Sequence, residues 1–265
     1  MRLCSIASGS SGNCIYVGSD HTHLLVDAGI TGKKTEAGLA ALELSGNDIS
    51  GILITHEHGD HIAGLGVLSR KYHIPIYGTL KTLEAIRSIS SMGKIEEELW
   101  HPIDREEPFR IQDITVDPMA ISHDSADPVA YRFFHNGKKV AVATDMGTYD
   151  DYTVECLQGM DALLLEANHD IRMLQVGPYP YYLKQRVLGN RGHLSNEMSG
   201  KLLKAILHDG MQTVLLGHLS QENNIPELAY ETVRLELSMG ENGYQTCDLP
   251  IRVASRYEPS EIIRV

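Results

Sequence analysis

Thr55-His56-Glu57-His58-Gly59-Asp60-His61 is the stretch that decides how this chain is read. Three imidazoles stand beside the Asp60 carboxylate within this one short run. Packed together without a cation, such groups would leave unpaired donors and repelling charge. Ile52-Leu53-Ile54, just before it, reads as a buried strand, and residues 62–72, just after, read as a helix. The cluster is therefore expected on a turn at the C-terminal end of a strand, where side chains from several loops converge. Neutral imidazole and carboxylate suit zinc or manganese, with iron as a further fit.

Working outward, strand patterns occupy residues 3–6, 14–17, 23–26 and 51–55, with Gly- and Ser-rich turns between the first of them. A second set covers 114–121, 129–134, 140–143, 162–165 and 213–216. Helical spacing appears at 35–44, 79–89, 197–207 and 226–237, the last opened by Pro226. Because the strands come in clusters rather than one per helix, the expected class is α/β, with two mixed sheets between helical layers. No repeat or low-complexity linker divides the chain, so residues 1–265 are read as a single domain.

Further polar residues sit at strand ends. Asp27 follows Leu24-Leu-Val, His123 follows the 114–121 strand, Asp145 follows Val140-Ala-Val-Ala-Thr, and His218 follows Val214-Leu-Leu-Gly. A metal centre that does chemistry needs ligands from several loops and an open position, and these tips beside the histidine cluster supply that pattern. The formal charge of −12 excludes a protein coated in phosphate-binding cations, although a local basic patch remains open. Cys4, Cys14, Cys156 and Cys247 are widely spaced, which suggests neither a disulfide framework nor a thiolate zinc site. No leader and no apolar run of ~18 residues is present, so a cytoplasmic protein without membrane contact is expected. His21, His23, His73, His101, His135 and His208 lack partners at ligand spacing, and Trp100 and Phe109 read as core anchors.

Asp27-Ala-Gly, His56-x-His58-x-Asp60-His61, His123, Asp145 and His218, in this order, resemble the five motifs of the metallo-β-lactamase superfamily. The resemblance implies an αβ/βα four-layer sandwich with two divalent ions at the edge between the sheets. By that analogy His56, His58 and His123 hold one ion, Asp60, His61 and His218 hold the other, and Asp145 bridges them. Asp27 would support the histidine loop. Ser8-Gly-Ser-Ser-Gly-Asn13 together with Gly192-His-Leu-Ser-Asn196 resembles the nuclease-like YycJ/WalJ group, which implies a 5′-to-3′ DNA exonuclease. Leu164-Leu-Glu-Ala-Asn168 and Gly192-His193 are similar to the Glu and His loops of tRNA 3′-processing enzymes, interrupted at Leu165 and Leu194. That likeness implies that Glu166 and His193 assist proton transfer to the leaving oxygen, with Asp60 as the other candidate catalytic residue. His169 is expected in a supporting or surface position.

Two cations roughly 3.5–4 Å apart suit phosphodiester cleavage, since they activate water and offset charge in the transition state. An alkoxide leaves poorly, so a proton donor should add about 10²–10⁴-fold. Residues 171–196 contain Arg172, Lys184, Arg186 and Arg191 with Tyr179, Tyr181 and Tyr182, and no Asp or Glu. Within an acidic chain this local inversion fits nucleic acid, DNA before RNA, or else a solvated loop anchored by its tyrosines. Ser11, Asn13, Tyr181, Lys184, Arg186 and Arg191 are the candidate substrate contacts. The competing readings are a small-molecule hydrolase for a cyclic phosphodiester, thioester or lactone, and a binding protein without turnover. Oligomeric state is left open by the sequence.

Overall fold

The computed structural model describes residues 1–239 and 250–265; Cys247 lies outside the described residues. Strands β1 (Arg2–Ala7), β2 (Cys14–Gly18), β3 (His23–Val26), β4 (Gly51–Leu53), β5 (Ile76–Thr79) and β6 (Trp100–Ile103) are followed by β7 (Phe109–Ile111), β8 (Ile114–Ala120), β9 (Val129–His135), β10 (Lys138–Ala143), β11 (Ala162–Glu166), β12 (Thr213–Gly217), β13 (Ile251–Val253) and β14 (Ile263–Arg264). They form two seven-stranded sheets, β14-β1-β2-β3-β4-β5-β6 and β13-β12-β11-β10-β9-β8-β7. Each sheet is antiparallel in one part and parallel in the other. The parallel runs are β3 to β6 and β10 to β13.

Alternation along the strands explains the layering. Leu24, Val26 and Leu53 point into the core shared by the two sheets, together with Val140, Val142, Ala162 and Leu164. Leu25, Ile52 and Ile54 face the other way, toward helices α1 (Gly32–Ala41), α3 (Leu65–Tyr72) and α4 (Leu80–Arg87). Leu163 and Leu165 likewise face α5 (Asp151–Leu157), α8 (Asn196–Ile206) and α9 (Pro226–Ser238). With a period of two, each strand feeds two cores, which yields the helix–sheet–sheet–helix sandwich. Each fully buried Leu contributes about 1.5–3 kcal/mol, and those on the inner faces lock the sheets together.

Several boundaries differ from the sequence expectation. The helix expected over 62–72 is two, α2 (Gly59–Ile62) and α3, because the chain passes against the Asp27 loop at Gly64. A Cβ there would stand 2.1 Å from the Ile30 carbonyl oxygen. Strand β4 stops at Leu53, since the Thr55 amide turns to Asp27 Oδ1 (2.9 Å) instead of continuing the ladder. The basic segment is not an open loop but contains α6 (Ile171–Val176) and α7 (Tyr181–Leu188). Trp100 is buried, as expected of a core anchor, whereas Phe109 is half-buried and stacks on Tyr77. Among the described residues no helix is long and apolar enough to cross a membrane.

Candidate metal centre

Three of the strands that end at the site lead into a sharp turn. Asp27, Asp145 and His218, directly after or close to the ends of β3, β10 and β12, adopt left-handed backbone with φ of 62°, 61° and 55°. Such conformations cost roughly 1–3 kcal/mol in a non-glycine residue and cluster where function requires a side chain in one place. Here they aim the three side chains at the seam between the sheets. The Asp60 backbone presses on Gly29, where a Cβ would meet the Asp60 carbonyl oxygen at 1.7 Å. Glycine at 29 thus lets the histidine turn sit directly on the Asp27 loop.

Two triads result. His56 Nε2 and His123 Nε2 lie 3.0 and 3.3 Å from His58 Nδ1. Asp60 Oδ2 lies 3.5 Å from both His61 Nε2 and His218 Nε2. A tetrahedral shell with bonds of about 2.0–2.1 Å sets its donors roughly 3.3 Å apart, so both triads have the spacing of a coordination face. Asp145 stands between them, with Oδ2 3.4 Å from His61 Nε2 and Oδ1 3.8 Å from His123 Nε2. Asp145 Oδ2 and His218 Nε2 are buried with no hydrogen-bond partner among the described residues. A buried carboxylate oxygen and a bare imidazole nitrogen aimed at one point suit a divalent cation.

The framework assigns the ring protons. His61 Nδ1 donates to Asp27 Oδ2 (2.7 Å), His123 Nδ1 to the Gly192 carbonyl (3.0 Å), and His218 Nδ1 to Glu166 Oε1 (2.9 Å). Thr55 Oγ1 donates to Asp27 Oδ2 (2.9 Å) and accepts from His56 Nδ1 (3.0 Å). In each ring Nε2 is the nitrogen left facing the site, able to give its lone pair to a cation that displaces any proton there, the arrangement that fixes ligating histidines. Burial opposes the charge on His61 and His218, yet the facing Asp145 carboxylate and its acidic neighbours push both pKa values up, that of His218 to about 10. Burial holds His56 and His123 below the usual imidazole range. Asp60 is disfavoured by burial but drawn below the carboxylate range by His61 and His218.

Behind the second triad sits Glu166, at the end of β11 and wholly buried. Its Oε1 accepts from His218 Nδ1 and from His193 Nδ1, both at 2.9 Å. Its Oε2 accepts from the backbone N–H groups of Met146 (2.8 Å) and Leu194 (3.1 Å). Burial works against this carboxylate, but the two imidazoles lower its pKa below the ordinary range, so it remains ionised. Glu166 therefore touches only protein, while the His193 ring is 18% exposed and lines a cavity of 330 Å³ over the triads. Ser10, Asn168, Tyr179, Arg186, Ser220 and Asn223 also line this cavity.

The expected substrate contacts divide. Arg186 reaches the cavity and makes a fork-like pair with Asp124. Lys184 donates instead to the Gln175 carbonyl (2.7 Å), tying α7 to α6, and Arg191 donates to the His123 carbonyl (3.0 and 3.1 Å). Tyr181 is exposed and outside the cavity lining. Ser11 is exposed, but Asn13 is buried, with its amide 3.2 Å from His61 Nε2 and 3.2 Å from the Gly9 carbonyl. Ser8 Oγ accepts from the His218 amide (2.8 Å), so the 8–13 loop braces the triads. His169 is buried with both ring nitrogens lacking a hydrogen-bond partner among the described residues. Sequence reasoning missed Ser10, Asn168, Ser220 and Asn223. Their one signal is position, since Asn168, Ser220 and Asn223 follow the ends of β11 and β12 within a few residues.

Two mixed sheets in a helical sandwich, with histidine–aspartate triads at the strand ends, define the metallo-β-lactamase fold. Residues 22–219 match the Beta-lactamase superfamily domain, and the chain belongs to that family. It is 42% identical to the exodeoxyribonuclease YycJ of Bacillus anthracis over 233 residues, covering 88% of each chain. To the exodeoxyribonuclease WalJ of Streptococcus pneumoniae serotype 2 it is 40% identical over 238 residues, covering 90% of this chain and 88% of that one. The metallo-β-lactamase fold protein YhfI of Bacillus subtilis superposes with a TM-score of 0.71, at 18% identity and 98% coverage of both chains, a likeness of fold alone.

Proposed function

We propose that this chain is a metal-dependent hydrolase that cleaves phosphodiester bonds of DNA, working as an exonuclease from a 5′ end. His56, His58 and His123 would hold one divalent cation and Asp60, His61 and His218 a second, with Asp145 between them; zinc or manganese suits these donors. Cations so held would lower the pKa of water and offset the charge that builds on the phosphate oxygens.

The observation that carries the reading is the His193–Glu166 pair. Glu166 fixes Nδ1–H of His193 and leaves Nε2 directed to the cavity. A ring protonated on both nitrogens can give its Nε2 proton to a departing alkoxide and stay anchored through Nδ1. That service matters most for a poor leaving group, as in a nucleic-acid backbone. Glu166 is a positioning residue in this scheme and His193 the catalytic acid. The DNA preference and the 5′ polarity rest on the relatives named above and on the likeness to their group.

Elemental analysis, followed by reconstitution and cleavage of end-labelled DNA and RNA, tests the proposal. Asp145→Asn should keep its fold but lose cation stoichiometry and cleavage together. Near-normal cleavage by that variant, or faster turnover of a glutathione thioester than of DNA, would overturn it.

A further inference from the structure

Two further cavities adjoin the one over the triads. Ser220 lines it and also a second cavity of 490 Å³, walled by Val253 and Ala254. Arg256 and Tyr257 line that second cavity and a third, of 380 Å³, against Lys34 and Ala37 of α1. Ser220 between the first two and Arg256 with Tyr257 between the last two set the three cavities in a row from the triads to α1. Among the described residues no acidic side chain lines the second or the third cavity, although the chain carries a net charge of −12.

The cations and the aromatic ring of this row are held in order. Arg256 Nη2 donates to the Leu219 carbonyl (2.8 Å), one residue past His218, and Nη1 reaches Ser10 Oγ (3.5 Å). The guanidinium lies flat on Gly9, where a Cβ would stand 2.6 Å from Nη1. It is therefore fixed where the second and third cavities meet, with five N–H donors of which these contacts use two. Further out, Tyr257 is 67% exposed, and Lys34 Nζ sits 5.8 Å from its ring centroid.

We propose that this row of cavities binds the part of a single nucleic-acid strand that extends past the scissile bond. Arg256 and Lys34 meet successive phosphates, and Tyr257 stacks on a base that displaces Lys34 from its ring face. Basic charge without an acidic neighbour among the described lining residues, an exposed aromatic ring and a place beside the cleavage cavity together fit a strand rather than a small molecule. The proposal rests on the nucleic-acid reading above.

The test uses full-length protein loaded with manganese, a labelled single-stranded 20-mer, and bis-p-nitrophenyl phosphate, which is too short to reach Tyr257. Tyr257→Ala and Lys34→Glu should each weaken binding of the 20-mer, and raise its KM, roughly tenfold. Lys34→Ala should flatten the salt dependence of binding by about 0.7 in log–log slope. Turnover of the small diester reports whether the triads are intact in each variant. Normal 20-mer binding by Tyr257→Ala and Lys34→Glu would overturn the proposal while leaving the nuclease reading standing. If the unsubstituted protein neither binds nor cuts the 20-mer, the nuclease reading itself fails. Should Lys34→Glu lose small-diester turnover as well, the milder Lys34→Ala and Tyr257→Ala variants decide, and unchanged 20-mer binding in both overturns the proposal.

Discussion

Replacing Glu166 with Gln puts the greatest demand on the geometry described here. The carboxylate accepts four hydrogen bonds, two from imidazole Nδ1 atoms and two from backbone amides. An amide of the same shape offers only one accepting oxygen, so two donors must face its NH₂ group. If the NH₂ faces Met146 and Leu194, two buried backbone N–H groups go unpaired at about 1–3 kcal/mol each, or about 2–6 kcal/mol together. If it faces the histidines, both rings can switch tautomer, placing a proton on Nε2. That switch costs His218 its lone pair toward the cation, and loss of such a supporting partner typically weakens metal affinity by about 10–100-fold, or about 1.4–2.8 kcal/mol. The second arrangement is the cheaper one. The expected result is a folded variant with the second cation bound about 10–100-fold more weakly. DNA cleavage should fall by about 10²–10⁴-fold even at saturating metal, because His193, facing an NH₂ group through Nδ1, can no longer carry a second proton and act as an imidazolium acid. Chelator competition measures the first quantity, and single-turnover cleavage of end-labelled DNA the second. A variant with full affinity and a rate within twofold of the parent would refute the reasoning.

Three further outcomes follow from the site. His193→Ala should slow cleavage of DNA by about 10²–10⁴-fold, yet slow bis-p-nitrophenyl phosphate far less, since p-nitrophenolate needs no proton to leave; equal losses on both substrates would deny His193 the acid role. The pKa of His218 is raised to about 10 and that of His61 is raised as well, so a cation must displace protons from this triad, and loading should expel at least about one. Calorimetry at pH 7.5 in buffers of different ionisation enthalpy counts them, and a release well below one contradicts the assignment. His169 is buried and neutral, its pKa lowered to about 4 by desolvation. A depressed folded pKa means the unfolded chain binds more protons between the two values, so stability is intact above pH ~6.5 and lost as pH falls through about 4, by up to roughly 3 kcal/mol. Urea titrations at pH 7 and pH 4.5 should show that loss, and His169→Gln should flatten it; an unflattened curve would place the acid sensitivity elsewhere.

Much of this architecture was legible from periodicity. Alternating runs such as Leu24-Leu25-Val26 and Ala162-Leu163-Leu164 mark strands that face two cores, and the same alternation is what the sheets use. The short strands β5, β6, β7, β13 and β14 escaped notice because two to four residues cannot display a period. Histidines and aspartates at strand tips announced the triads, since their residue types have few other uses in such company. The cavity wall was harder to read. Ser10 and Ser220 are ordinary loop residues until the fold brings them together, and the basic residues of 171–196 divide, with Arg186 in the cavity wall and others tied to the chain itself. Lys184 and Arg191 point to backbone carbonyls of their own chain, a use of charge that composition cannot separate from substrate binding.

The left-handed turns at Asp27, Asp145 and His218, with ring protons fixed by Asp27, Glu166 and the Gly192 carbonyl, have a consequence for ion choice. The cage is finished by backbone and supporting contacts before any guest arrives, so loading demands no refolding and exchange is a matter of ions trading places. Nitrogen and oxygen donors in a ready-made frame accept several first-row metals. On the proposed reading, supply in the surroundings would decide which one resides there, and the same polypeptide would change its ion when that supply changes.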